Sequence, residues 1–342
     1  MSDLDTIVVG GGVVGLSIAY GLARAGERVR LLDEGDDAFR AARGNFGLVW
    51  VQGKGVGKPA YALWSMAASK LWPGFAGELE EVAGIGLQLS QSGGLMLCLD
   101  EAELDKRSVM MAQLAADVAA LGETYPYDIL HANALRELCP HAGPEVVGAS
   151  FCPLDGHVSP LRLLRSLTAA LLALGGDLQT GRHVDGIECR GGEFYVRAGD
   201  TTHVAAKLVL AAGLGNAGLA PLVGLAAPVR PVRGQVLISE RVAPFLELPT
   251  GSVRQTGDGG VQIGESKEDV GFDDGTAAAE LSRIAERAMR MFPILAGVNI
   301  VRTWGALRVM TPDGYPIYQV SAECPGAFVV TCHSGVTLAA QH

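Results

Sequence analysis

The chain has 342 residues and a mass of 35.6 kDa, with 49% hydrophobic and 19% charged residues and a mean hydropathy of +0.26. That length and apolar content suffice for about two domains at ~150 residues each, and they exclude intrinsic disorder. With 27 Lys and Arg against 37 Asp and Glu, the net charge is −10. No basic cluster offsets it, which argues against binding nucleic acid or an anionic membrane.

The chain opens with Thr6–Val9, a short β-branched run of the kind that forms a buried parallel strand. It leads directly into Gly10-Gly11-Gly12-Val13-Val14-Gly15, and then Leu16, Ile18, Ala19, Leu22 and Ala23 give a helical apolar face closed by Gly26. A second strand, Val29–Leu32, ends at Asp33-Glu34, with Asp33 eighteen residues after Gly15. Each part has a physical task. Gly10 permits the tight turn, Gly12 lets the backbone approach a pyrophosphate, and Gly15 lets helix and strand pack closely. Asp33 would accept hydrogen bonds from the adenosine ribose. The complete strand–glycine–helix–strand–acid order points to a bound dinucleotide, NAD or FAD.

Further along, Pro59–Val82 reads as a helix with a kink or break at Pro73. Leu87–Leu99 reads as a hairpin turning at Gly93-Gly94, and Glu101–Leu121 and Asn133–Leu138 as helices. Ser159–Leu174 is an amphipathic helix, with Ser159 as N-cap and Pro160 at the first helical position. Short strands follow at Asp177–Thr180, Val184–Arg190 and Glu193–Ala198.

The glycine pattern recurs after the strand Lys207–Ala212, at Gly213, Gly215 and Gly218. Pro221, Pro228 and Pro231 leave little room for a crossover helix there, so a second nucleotide site is not expected. Val229–Ser239, Ser252–Thr256 and Gly260–Gly264 then form an antiparallel set, followed by a helix over Thr276–Phe292 and a long strand over Val298–Met310.

The cysteines Cys98, Cys139, Cys152, Cys189, Cys324 and Cys332 are scattered without a C-x-x-C pair, the pattern of free thiols in a reducing compartment. Neither Cys139/His141 nor Cys332/His333 has partners at metal-ligand spacing, and no metal site is expected. The apolar stretch Ile7–Ala25 follows Asp3 and Asp5 instead of a basic segment, and the stretch Leu208–Ala227 is broken by glycines and Pro221. Neither reads as a signal peptide or a bilayer span, and a soluble, cytoplasmic protein is expected.

Several segments together resemble the FAD-dependent amine oxidoreductases of the glycine oxidase and D-amino-acid oxidase type. They are the N-terminal βαβ unit, Arg43–Leu48, Leu210–Gly213, Pro231–Gln235, Trp304–Arg308 leading to Thr311–Gly314, and His333–Leu338. The segment Asn45–Lys54 resembles most the β subunits of opine oxidases, hydrogen cyanide synthase and D-hydroxyproline dehydrogenases.

The resemblance implies an α/β fold, with a Rossmann-like FAD-binding domain (1–80, 150–218 and 300–342) interleaved with an antiparallel-sheet substrate domain (81–149 and 219–299). It implies FAD held by Gly10, Gly11, Gly12, Val13, Val14, Gly15, Asp33 and Glu34, and by Arg43, Gly44, Asn45, Gly47 and Leu48. Val184, Ala212, Gly213 and Gly305 complete that set with Gly335, Val336, Thr337 and Leu338, which open the last helix towards the flavin. Arg308 takes the position that binds the substrate carboxylate, and His333 a place in the active site. Trp50 and Gln52 are pocket walls.

The implied reaction oxidises the C–N bond of an amino acid or secondary amine acid by hydride transfer to flavin. Partner subunits would carry the electrons onward. An electron-transfer subunit with little activity alone and an NAD-linked dehydrogenase remain as alternatives. Two departures from the family pattern stand out. The chain stops at His342 just inside the expected last helix, and the Ser252–Gly264 strands offer no lysine for the flavin, only Arg254. The second leans the reading towards a dehydrogenase.

Overall fold

The computed structural model describes residues 4–35, 41–264 and 266–342. Its centre is a six-stranded sheet in the order 317–320, 327–331, 207–210, 6–9, 29–32, 177–179. The strands Thr6–Val9 (β1) and Val29–Leu32 (β2) pair in parallel, joined by the helix Val13–Arg24 (α1). On its other side β1 pairs in parallel with Lys207–Leu210. All four residues of β1 are buried, as their β-branched, apolar sequence requires of a strand covered on both faces. Because β1 has one neighbour close in sequence and another about two hundred residues on, the crevice at its carboxyl end lies at a change of connection direction, where α/β sheets bind ligands.

The second large sheet is antiparallel, in the order 253–255, 260–264, 230–241, 300–310. The strand Ile300–Met310, expected above among the dinucleotide-binding segments, pairs here along Arg230–Arg241, with Arg308 opposite Val232. A smaller sheet joins Gly94–Cys98 to Gly148–Cys152 and Asp128–His131. It corrects the hairpin expected at Gly93-Gly94: Gly94–Cys98 pairs with residues some fifty positions later, while Ser90 bridges to His157. The two glycines serve close contacts instead. A Cβ on Gly94 would stand 2.5 Å from the Trp50 ring, and one on Gly93 2.3 Å from that of Phe151.

The helix Pro59–Ala83 runs unbroken through Pro73. Proline has no N–H to give the Ser69 carbonyl one turn back, and Gln91 replaces it, its Nε2 donating to Ser69 O at 2.9 Å. The helix Pro160–Ala173 starts with proline as expected, but Ser159 makes no side-chain capping bond. The second glycine pattern ends in short turns of helix (Gly213–Gly215, Asn216–Leu219), not a crossover helix. Its Asn216 side chain instead ties Ala212 N to Val330 O and Thr331 Oγ1.

Candidate active site

Two regions gather the residues singled out above. At the end of β1, Gly10 has φ +111°, and a Cβ there would stand 2.5 Å from Ala211 O. A Cβ on Gly15 would stand 1.8 Å from Gly10 O, so the protein's own packing demands both glycines. Gly12 differs. Among the described residues the only atom within 4 Å of a Cβ built there is Ala42 Cβ, at 3.6 Å. Packing of the described residues therefore leaves room for a side chain at Gly12, and its absence fits a bound group passing over the backbone. Gly12 also caps α1 without a side-chain hydrogen bond, so the first amides of this helix, at Val13, Val14 and Gly15, have no capping side chain.

Asp33 accepts from Gly11 N at 2.7 Å and from Gly35 N at 2.9 Å, which fixes its carboxylate against the glycine loop with lone pairs left for ribose hydroxyls. Arg182 N donates to Asp33 O, and His183 pairs with Glu34 at 2.8 Å. These contacts bring buried Val184 beside the acidic pair, on the side expected for adenine. Ala212 and Gly213 close the loop from the neighbouring strand. The residues present fit FAD.

The second region is a cavity of about 620 Å³ between the two sheets. Gly44, Asn45, Leu48, Trp50, Gln52, Arg308, His333, Val336 and Thr337 line it. Gly47, Gly305, Gly335 and Leu338 serve packing behind this wall. A Cβ on Gly47 would strike Val158 O at 2.3 Å, one on Gly305 would strike Asp274 O at 2.4 Å, and one on Gly335 would lie 3.1 Å from Val14 Cγ2. Leu338 is fully buried in the core. Arg43 is exposed and lies off the cavity wall.

Arg308 reaches the cavity from the long antiparallel strand. Its Nη1 donates to Ser266 O at 2.6 Å and to Arg233 O at 3.3 Å, which sets the guanidinium plane. His333 is open to the cavity, and partial desolvation there together with the charges of Lys54, Arg308 and Lys267 holds its imidazole below its ordinary value. The lowering favours the neutral imidazole, a hydrogen-bonding group, at physiological pH.

Both ends of the Gln52 amide are engaged. Its Nε2 donates to Asp155 Oδ2 at 2.7 Å and Gly94 O at 3.0 Å, while Oε1 accepts from Ser150 Oγ at 2.5 Å and Arg107 Nη2 at 2.8 Å. Trp50 N donates to Thr337 Oγ1 at 3.0 Å. The helix expected to open at Gly335 is four residues long, Gly335–Leu338.

Sequence reasoning missed Lys54, Lys267, Arg107 and Asp155. Lys54 Nζ donates to Thr337 Oγ1 at 2.8 Å, and burial brings its ammonium down to about 8. Asp155 is fully buried and pushed up to about 7 by desolvation, while accepting from Val51 N and Gln52 Nε2. The strands 253–264 carry no cavity lysine, as expected, and Arg254 binds Gln262 and His157 instead. Lysines nevertheless reach the cavity from the 50–58 loop and from just past Gly264. A lone lysine in the glycine-rich run Gly53–Gly57 was the signal available for Lys54; nothing marked Arg107. Among the described lining residues Lys54, Lys267, Arg107 and Arg308 face one acid, Asp313. The wall is cationic in a protein of net charge −10.

The profile of the family described as FAD dependent oxidoreductase (DAO) matches residues 5–341. The chain is 41% identical over its full length to an opine oxidase subunit of Agrobacterium tumefaciens, covering 92% of that protein, and 40% identical, again over its full length and 92% of the relative, to the corresponding opine oxidase subunit of Rhizobium meliloti. The crystal structure of glycine oxidase from Geobacillus kaustophilus superposes with a TM-score of 0.87 at 26% identity, covering 99% of this chain and 92% of that one. Among the described residues no helix is long and apolar enough to cross a membrane. With the glycine loop shaped for a dinucleotide and the cationic cavity beside it, these likenesses show that the chain belongs to the DAO family of FAD-dependent oxidoreductases.

Proposed function

We propose that the chain is the catalytic, flavin-bearing subunit of a heteromeric dehydrogenase or oxidase, converting the C–N bond of an amino acid or secondary amine acid, of the opine, D-hydroxyproline or glycine type, to an imine. The observation that carries this reading is Arg308, its guanidinium plane fixed by two backbone carbonyls at a cavity wall of four cations. FAD, when bound, supplies the acceptor for the hydride.

The chain's own residues do the rest. Arg308 binds the substrate carboxylate and so orients the α-carbon. Lys54, Lys267 and Arg308 together disfavour a cationic substrate nitrogen, so the amine releases its proton to solvent on entering, without a dedicated base. Neutral His333 offers a hydrogen bond beside it, while the Thr337 hydroxyl is spent on Trp50, Leu48 and Lys54. Gly10–Gly15, Asp33 and Val184 hold the dinucleotide. Gly44, Asn45 and Leu48, with Val336 and Thr337, would flank the ring, and residues 1–80 and 150–218, with the segment after Met310, form the cofactor domain. Both 40–41% relatives are named as one subunit of an opine oxidase, which supports a partner that takes the electrons onward.

The test is the visible spectrum of the purified protein under anaerobic addition of glycine, proline, D-amino acids and opines. Bleaching of the flavin band by one of them is the expected result. A flavin band that none of them bleaches refutes the reading. Turnover of the isolated chain with an artificial acceptor then separates a catalytic subunit from an electron conduit.

A further inference from the structure

Arg107 lies on the helix Glu101–Ala119 and reaches the cavity beside Met96 and Met110. Its Nε donates to Ser150 Oγ at 2.6 Å and its Nη2 to Gln52 Oε1 at 2.8 Å. Both acceptors are neutral and buried, Ser150 fully and Gln52 at 4% exposure. Among the described residues no carboxylate lies within ion-pair distance of this guanidinium. Asp155 acts on it only from behind the Gln52 amide, which donates to Asp155 Oδ2. Nη1 makes no hydrogen bond to the described residues. It lies towards Gly53, where a Cβ would stand 3.5 Å from it, and Gly53 lines the cavity with Lys54.

A half-buried guanidinium held against neutral groups is costly, because its desolvation is not matched by an adjacent counter-charge. The relay Asp155–Gln52–Arg107 nevertheless holds it in one orientation, with one nitrogen directed at the place where substrate binds. The other unassigned cation, Lys267, also borders a neighbouring pocket of about 490 Å³ lined by Glu268, Glu280, Arg283 and Arg287. It is therefore less committed to the cavity than Arg107.

We propose that Arg107 is a specificity-determining residue that binds a second carboxylate of the substrate, so that the enzyme selects secondary amines bearing a carboxylate on each side of the nitrogen. This rests on the reading of the cavity as a site of amine-acid oxidation, with the first carboxylate on Arg308. The two arginines come from different elements, a helix of the small-sheet region and the long antiparallel strand. A substrate held between them has its C–N bond placed at both ends. Met96 and Met110 would cover the apolar stretch near Arg107.

The experiment compares the holoenzyme with its Arg107→Met, Arg107→Lys and Lys267→Met variants. Iminodiacetate and N-(2-carboxyethyl)glycine serve as dicarboxylates, and N-methylglycine as the monocarboxylate. Anaerobic flavin reduction is followed against substrate concentration. Arg107→Met is expected to lower the second-order rate of reduction by the dicarboxylates by about 10–100-fold while changing that by N-methylglycine less than about 3-fold.

Arg107→Lys keeps the charge but not the two fixed hydrogen bonds, and should fall between. It carries the test if the methionine variant loses its flavin. Equal losses on both substrate classes overturn the proposal and leave Arg107 a structural residue. A selectivity lost in Lys267→Met and kept in Arg107→Met overturns it too. Reduction by none of the three substrates, with the flavin band intact, refutes the underlying amine-oxidation reading and the second anchor with it. Reduction by N-methylglycine alone refutes only the second anchor.

Discussion

The Arg308 guanidinium lies flat against Gly234 on the neighbouring strand. A Cβ built on Gly234 would stand 2.6 Å from Arg308 Cζ and from both terminal nitrogens. Contact between such groups needs roughly 3.5 Å or more, so Gly234→Ala must displace the guanidinium by about 1 Å. The Nη1–Ser266 O bond, now 2.6 Å, would lengthen past the hydrogen-bond range, and the carboxylate anchor would move with it. A misplacement of about that size can cost on the order of 100-fold in rate. We therefore expect kcat/KM for carboxylate substrates to fall about 10–100-fold, mostly through KM.

Stability should change little. Arg308 is a flexible side chain able to yield, and alanine in an extended strand loses less chain entropy on folding than glycine, offsetting about one hydrogen bond. Stopped-flow reduction by substrate, with flavin content and thermal unfolding measured on the same sample, checks both halves. Unchanged kinetics in a flavin-loaded protein would refute the role given to Arg308. Loss of flavin would show that Gly234 serves the fold instead.

Three further outcomes follow from the geometry. Gly15→Ala places a methyl 1.8 Å from Gly10 O, so α1 must part from the strand end, and the purified protein should lack the flavin absorbance. Asp155 is held up at about 7 against an ordinary 3.8, so the folded state binds its proton more tightly than the unfolded chain. Its contribution to stability is full at low pH and lost as pH rises from about 4 to 7, and the Tm–pH profile of Asp155→Asn should lack that slope. Gln91→Ala strands the Ser69 carbonyl that Pro73 cannot serve, costing about 1–3 kcal/mol. If denaturant titration shows that Pro73→Ala restores no stability in that background, the compensation is disproved.

The dinucleotide loop was legible because its demands are local. Gly10 and Gly15 are glycines for reasons confined to a few neighbouring residues, and the acid at Asp33 follows at a fixed distance along the chain. The small sheet was not legible, since Gly94–Cys98 finds its partner about fifty residues later, and no local pattern announces such a pairing. Arg308 emerged from family resemblance, and the strand that carries it could be read from its own sequence. Arg107 could not be found, because an arginine in an amphipathic helix looks like solvated surface until the fold turns it towards Gln52 and Ser150. Gln52 was identified as a wall, but its saturation by four protein partners depends on residues at 94, 107, 150 and 155 meeting in space.

The pairing of β1 bears on how the enzyme matures. Its partner on one side arrives with residue 207, and the next strand, Ala327–Thr331, beyond that. A chain emerging from synthesis holds the glycine loop early but lacks the strand against which Gly10 is pressed until about three-fifths of the protein is made. Trp50 and Lys54 wait longer still, for the Thr337 hydroxyl that fixes them. Such long-range closure makes folding slow and leaves apolar strands uncovered in the interim. Cofactor capture can then only follow assembly of the sheet, and free FAD would draw the last equilibrium towards the native state. Cellular flavin supply should therefore govern the yield of folded protein as much as its activity.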